Sequence, residues 1–382
     1  MLSAEEVKVE NYVGALPICM KYKDSFMGTK SCYTVLLASN GTWNLFKHDF
    51  IEYSTPFWSD DTLYLSDLKH EYIFEYGKTP VVHDMKKEGL LLESRVLYEN
   101  KLFSFYNWGF DDGDMNEDTG YSYEMIVQNV HKATRSVLPL MMDSEASVCG
   151  NQILAVGRKK SLGDEARALY SFSENGSYVK LFDADYVIDN EKSKILGINQ
   201  EIVCWNDTHL LEIAYDANKS EDQYNGENEL APTKLFLGIW DIHNKEYTVL
   251  PLMDENEKQF AFTENLGSDD LEVIFADGNT LYAQLVQQGR IAKIDISTGT
   301  ITFINEPLQK SDNEGNYRYQ VRSDYLHGKV YQFVDDLQSE EDTYMRVVDV
   351  YTGKELQRIE YPGLTEGMMG LSPSSLAVNP RF

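Results

Sequence analysis

Long apolar runs are missing from this chain. Nowhere do about 18 apolar residues follow one another, so no transmembrane helix is encoded. Positive charge is also short: 34 Lys and Arg stand against 62 Asp and Glu, for a formal net charge of −28. Such a chain repels nucleic acid and anionic lipid at long range, which sets both aside as partners. Cysteine is sparse, with four residues (Cys19, Cys32, Cys149 and Cys204) and no CxxC pair. That excludes a zinc ribbon and a thioredoxin-like redox motif, and it is too few for a disulfide scaffold. The expectation is four buried free thiols, the usual environment of unpaired cysteine. The opening MLSAEEVKVENY carries Glu5, Glu6 and Glu10 and lacks the apolar core of a signal peptide. The compartment stays open between the cytoplasm and an extracytoplasmic site reached with an export signal absent from this chain. N-x-S/T sequons at Asn40, Asn175, Asn206 and Asn218 are near what chance gives.

Catalytic signatures are equally thin. There is no G-x-S-x-G elbow and no H-E-x-x-H, and the seven histidines show no ligand spacing. The one S-x-x-K, Ser66 to Lys69, lacks its companion motifs.

What is there is a folded composition, 42% hydrophobic with 25 tyrosines, and aromatic residues favour strands. A repeat organises it. Residues 271–304, LEVIFADGNTLYAQLVQQGRIAKIDISTGTITFI, read as four strands, A to D, with turns at Asp277-Gly278-Asn279 and Ser297-Thr298-Gly299. The A-turn-B signature recurs at 57–68, 95–106, 146–157, 202–215 and 323–334, and the C-turn-D half at 71–82, 168–182, 236–250 and 345–359. Strand B begins at Leu63, Leu102, Ile153, Leu210, Leu281 and Val330, with a weaker seventh match at Leu376 and a mean spacing of about 52 residues. Seven such units nearly exhaust the chain. The arithmetic predicts an all-β, seven-bladed β-propeller of four-stranded antiparallel blades, closed by both termini. One blade is shared between residues 15–48 and 363–382, and residues 1–382 form a single domain.

The D-x-x-T-G turns at Asp295–Gly299 and Asp349–Gly353 resemble quinoprotein-type and YVTN-type repeats. The Asn/Asp turn before an L-Y or V-Y pair is similar to those and to kelch-like repeats. The Trp-Asp of WD40 repeats occurs once, at Trp240-Asp241, and the kelch double glycine is absent. The resemblance implies a fold and a class of uses, typically display of a binding face.

Long B–C connections are expected at 107–120, 158–166, 216–230 and 335–342, all on one rim, and insertions on one face often mark the binding face. Three are acidic. Asp111, Asp112, Asp114, Glu117 and Asp118 lie in the first; Asp216, Glu221, Asp222, Glu227 and Glu229 in the third; Asp335, Asp336, Glu340, Glu341 and Asp342 in the last. Together with Trp108, which leads into the first of these loops, they are the candidate binding rim. Calcium is the one cofactor the sequence offers, at Asp112, Asp114 and Asn116, but Glu117 stands where the calcium loop needs Gly. Trp58 and Trp205, at the ends of A strands, are expected to pack in the core. The leading reading is a monomeric propeller that binds a cationic protein or peptide through its acidic rim. The alternative is a hydrolase or lyase acting on saccharide or peptide in the central funnel. Fold alone does not decide between them.

Overall fold

The computed structural model describes residues 1–19, 32–51, 53–88, 91–110, 121–158, 167–184, 187–188, 191–192, 195–197, 201–216, 233–262, 271–309, 317–336, 343–368, 371 and 373–382. The fold is an all-β seven-bladed propeller, most blades being four antiparallel strands. Two compact units divide the chain: Met1–Pro139, Tyr319–Val350 and Lys354–Phe382 form one, and Leu140–Arg318 with Tyr351–Gly353 form the other.

The first unit carries four blades. Its second blade runs Phe57–Ser59, Thr62–Ser66, His70–Glu75, Val81–Asp84 from inner to outer strand. The third runs Leu91–Tyr98, Lys101–Phe110, Tyr121–Gln128, Ala133–Leu138. The seventh runs Tyr319–Leu326, Lys329–Asp336, Tyr344–Asp349, Glu355–Glu360. The first blade joins the two ends of the chain: Ala377–Val378 pairs with Gly14–Cys19, followed by Cys32–Leu37 and Trp43–His48. The C-terminal segment therefore gives one inner strand, and Leu376 introduces that strand rather than a strand B. Only two residue pairs, Gly14–Val378 and Ala15–Ala377, make this ladder. Other bonds reinforce it. The Val378 N–H donates to Asp324 Oδ2 at 2.7 Å, Asn379 N–H to the Val13 carbonyl at 3.0 Å, and Arg322 Nε to the Pro373 carbonyl at 2.9 Å.

The second unit carries three blades. The sixth is the most regular, with strands Leu271–Asp277, Thr280–Leu285, Arg290–Asp295 and Ile301–Phe303. In the fourth, Met141–Met142 and Ser147–Cys149 both pair with Gln152–Arg158, and Ala168–Phe172 and Tyr178–Asp183 follow. In the fifth, Ile195–Gly197 and Val203–Trp205 pair with His209–Asp216, and Thr233–Asp241 and Glu246–Pro251 follow.

Burial explains the sequence pattern. Middle strands are covered on both faces, so Leu281, Tyr282, Ala283, Gln284 and Leu285 are all buried in succession. Outer strands meet water, and of Glu355–Glu360 only Ile359 is buried. The D-x-x-T-G turn also has a physical basis. Asp295 Oδ1 accepts the N–H groups of Ser297 and Thr298 at 2.8 and 3.0 Å, which fixes the turn. Gly299 and Gly353 then take φ of 72° and 69°. A Cβ on Gly353 would lie 2.7 Å from the Ile304 carbonyl oxygen, and one on Gly299 would collide with that of Pro251. Only glycine lets these turns close against the neighbouring outer strand.

The cysteine expectation is overturned. Cys19 bonds to Cys32, directly opposite it in the first blade, with Cα atoms 4.4 Å apart. Cys149 bonds to Cys204, joining the inner strands of the fourth and fifth blades across 5.1 Å between Cα atoms. No cysteine is free. Unfolding without reductant should therefore expose no titratable thiol, and reduction should release four. Replacing Cys149 and Cys204 together by Ser should cost about 2–4 kcal/mol in denaturant melts, as loss of a long covalent loop does.

Asp324 gives the terminal latch a pH signature. Burial pushes its carboxyl up to about 6, against the bonds from Val378 and Tyr325 that favour the charge. The folded state then holds a proton that the unfolded chain has lost. The stabilisation is full below the unfolded pKa and fades as pH rises through 6. Measured against Asp324→Asn, wild-type stability should fall by up to about 3 kcal/mol between pH 4 and 7. A difference that stays flat over that window would refute the assignment.

Candidate functional site

Charged side chains lie between blades of the first unit. Glu71, second residue of its strand, is fully buried and faces Lys87 Nζ at 3.0 Å and the Arg95 guanidinium at 3.2 Å. It also accepts from Ser66 Oγ at 2.5 Å, Gln128 Nε2 at 2.9 Å and the Tyr106 hydroxyl. Burial alone would raise this carboxyl, yet Lys87 and Arg95 hold it below the usual carboxylate range. The second unit has a counterpart. Glu212 takes a two-pronged bond from Arg167 at 2.9 and 2.7 Å, with Trp240 Nε1 at 3.1 Å and the Tyr247 hydroxyl at 2.9 Å on one oxygen. Such groups have no free valence for a ligand; they hold blades together.

Asp49, Asp67 and His70 place one ligand atom each within 4.8 Å of one another, the donor set of a metal centre. Their other bonds suit a clasp better. Asp67 accepts from the N–H groups of Asp49, Lys69 and His70 and from the Tyr72 hydroxyl, at 2.7 to 3.0 Å. His70 Nδ1 lies 3.1 Å from Asp67 Oδ1, and Lys69 Nζ lies 2.8 Å from Asp49 Oδ2. A cation would have to displace the ammonium and break the imidazole contact.

The third blade differs at the end where its second and third strands are joined. Its inner strand slips register between Leu92 and Ser94, leaving Glu93 as an extra residue. The next pair of strands slips between Ser122 and Tyr123, leaving Trp108 unpaired between Asn107 and Gly109. Gly109, at φ 88°, supplies the backbone turn that this bulge requires. Bulges re-aim side chains, and here they gather a polar and aromatic group. Glu93 accepts from Asn107 Nδ2 at 2.8 Å and from the Tyr123 hydroxyl. The Tyr121 hydroxyl donates to Asn107 Oδ1 at 2.7 Å, and the Tyr121 and Tyr123 rings are 5.9 Å apart. Burial raises the Tyr121 phenol and keeps it a donor. Glu93, half-buried, has no cation beside it among the described residues.

Of the sequence-predicted rim residues, Trp108, Asp216, Asp335 and Asp336 fall among the described ones, each at or near the end of a second strand. Trp108 belongs to the strand Lys101–Phe110, not to a loop, and is partly exposed. Asp335 and Asp336 were expected in an open acidic loop; they end the strand Lys329–Asp336 and are only 4% and 1% exposed. The strand runs on because Asp335 satisfies the hydroxyls of Thr343 and Thr365 at 3.0 and 2.9 Å. Asp216 ends the strand His209–Asp216. Asp111, Asp112, Asp114, Asn116, Glu117, Asp118, Glu221, Asp222, Glu227, Glu229, Glu340, Glu341 and Asp342 lie outside the described residues, and the calcium candidates with them. Trp58 is buried in the core; Trp205 is partly buried and donates to the Gly278 carbonyl at 2.7 Å. Glu93, Asn107, Tyr121 and Tyr123 escaped the sequence reading. Their one signal is the broken alternation in LLESRVLY, where an apolar pair is followed by the polar pair Glu93-Ser94.

No family model matches the chain, and no curated protein sequence matches it. Solved structures resemble it distantly. Apo AztD from Citrobacter koseri is 10% identical, with 96% of this chain and 98% of that one covered at a TM-score of 0.42. A streptogramin B lyase is 7% identical over 80% and 82%, at 0.44. A D477G ACO/RPE65 chimera is 8% identical over 98% and 93%, at 0.47. These likenesses carry no argument about activity.

The inter-blade ion pairs can be tested directly. Glu71→Gln leaves Lys87 and Arg95 buried without a counter-charge and should cost about 3–5 kcal/mol in urea unfolding. A loss under about 1 kcal/mol would mean that water already reaches this layer.

Proposed function

We propose that this chain is a binding propeller that recognises a basic protein or peptide through its B–C connections. One observation carries the reading. The deeply buried carboxylates Glu71 and Glu212 are neutralised by Lys87, Arg95 and Arg167, so these two add nothing to the chain's uncompensated negative charge. At the B–C ends, by contrast, Glu93 and Asp335 are held by amide and hydroxyl donors, with no cation among the described residues. By sequence, the segments that continue from those ends are the acidic ones, 111–120 and 337–342, and the segment 217–232 joins the equivalent strands of the fifth blade. Opposite charge there speeds and orients encounter more than it deepens affinity. The two disulfides favour an oxidising compartment as the place of action.

A decalysine peptide is a suitable probe, with association rates read over a salt series. One variant neutralises Asp111, Asp112, Asp114, Glu117 and Asp118 to Asn or Gln. A control of equal charge neutralises the exposed Glu5, Glu10, Asp84, Glu246 and Glu360. The first should slow association about tenfold at low salt and flatten its salt dependence, while the control changes it about twofold or less. Equal effects in both would mean that net charge acts without a site.

A further inference from the structure

We propose that the bulged end of the third blade is a receptor for a single arginine side chain presented by the partner. This rests on the binding reading above and narrows it to one residue type.

The argument begins with orientation. A solvent-exposed glutamate rotates freely and offers no fixed geometry; Glu93 does not. Each of its oxygens accepts one bond, from the Asn107 amide and the Tyr123 hydroxyl, and so the plane of the carboxylate is set. Both donors are neutral, and each oxygen keeps a second lone pair. A planar carboxylate with its plane fixed and one acceptor site left on each oxygen matches the two-pronged donor edge of a guanidinium. An ammonium is a point donor and gains less from such a fixed plane. The half-burial of Glu93 weakens competition from water without removing access.

The surroundings suit the same ligand. Tyr121 and Tyr123 lie side by side on the strand across from Asn107, and Trp108 follows Asn107 on the bulge. Aromatic faces attract guanidinium groups, which are weakly hydrated and stack well. Elsewhere the chain supplies its own partner to such carboxylates: Arg95 to Glu71, and Arg167 to Glu212. At Glu93 no basic side chain is provided among the described residues, although the carboxylate has been pre-positioned by two successive irregularities in the sheet. A bulge costs ladder hydrogen bonds, and two in one blade end converge on this group.

The test compares hexa-arginine with hexalysine at matched ionic strength, on wild type and Glu93→Gln, with circular dichroism to verify the fold. Wild type should prefer hexa-arginine about tenfold, and Glu93→Gln should erase that preference while leaving hexalysine binding within about twofold. Should the Gln variant fail to fold, competition on the wild-type chain decides: methylguanidinium must displace hexa-arginine better than methylammonium does. Equal binding of both peptides, unchanged by Glu93→Gln, overturns the arginine site and leaves the acidic rim standing. Failure of both peptides to bind overturns the rim reading itself.

Discussion

A carboxylate removed from water must be met by positive charge, and this constraint shapes how blades pack in both units. Between the second and third blades Glu71 meets Lys87 and Arg95; in the second unit Glu212 meets Arg167. Continuum reasoning says that such pairs stabilise little against an apolar replacement, because desolvation consumes most of the attraction. Their value lies in exclusion. Two blades that pack through Leu and Val alone can slide by a residue pair at small cost. A buried Glu with five bonds admits one registration, since any slip strands two cations in the core. Lys87 illustrates the demand, for its ammonium is also bound by the carbonyls of Asp67 and His70 at 2.6 and 2.9 Å. The connection after the second blade is thereby fixed to the third strand of that same blade.

That rule gives meaning to its exceptions. Glu93, Asp324 and Asp335 are at least partly buried, and each is held by neutral donors without a cation among the described residues. Asp324 resolves its situation by burial raising the carboxyl to about 6, with the closing strand's N–H as its partner. Asp335 is enclosed by two threonine hydroxyls. Glu93 alone of the three sits at a double bulge, bonded by the Tyr123 hydroxyl with Tyr121 beside that ring, its carboxylate oriented and no cation at it among the described residues. The difference between structural and recognition carboxylates is thus visible in what surrounds them, rather than in how acidic the neighbourhood is.

The fold was legible in the sequence because propeller turns obey strict backbone chemistry. Asp295 caps its turn and Gly299 and Gly353 occupy left-handed positions, so the C-turn-D hairpins announce themselves. The A–B turns do so through Asn and Asp residues that tolerate positive φ, such as Asn100 and Asn206. The shared first blade was readable for the same reason, with Cys32–Leu37 and Trp43–His48 flanking the turn at Asn40-Gly41. Legibility ended where partners are remote. The Cys149–Cys204 bond joins residues 55 apart, and nothing local in either hairpin marks the other. Asp335 reads as loop because acids disfavour strands, yet Thr343 and Thr365 bond it within the seventh blade's end. Glu93 reads as an ordinary outward residue until the bulge rotates it beside Asn107 and Tyr123.

The disulfides and the buried ion pairs answer different weaknesses of one architecture. In the fourth and fifth blades the inner strands are short: Ser147–Cys149 and Val203–Trp205 hold three residues each, too few for a ladder to resist fraying. Cys149–Cys204 ties these two short strands to one another, where hydrogen bonding within each blade is weakest. The closing strand Ala377–Val378 is shorter still, and there the reinforcement is polar, from Asp324 to Val378 and Asn379 to Val13. The buried ion pairs sit on middle strands, Glu71 on His70–Glu75 and Glu212 on His209–Asp216, where they face the neighbouring blade. Covalent and charged restraints therefore lie where blades meet and, in the first blade, at the B–C end itself, where Cys19–Cys32 joins the second strand to the third. The B–C end of the third blade has no disulfide and, among the described residues, no cation at Glu93, which is the freedom the proposed recognition role requires.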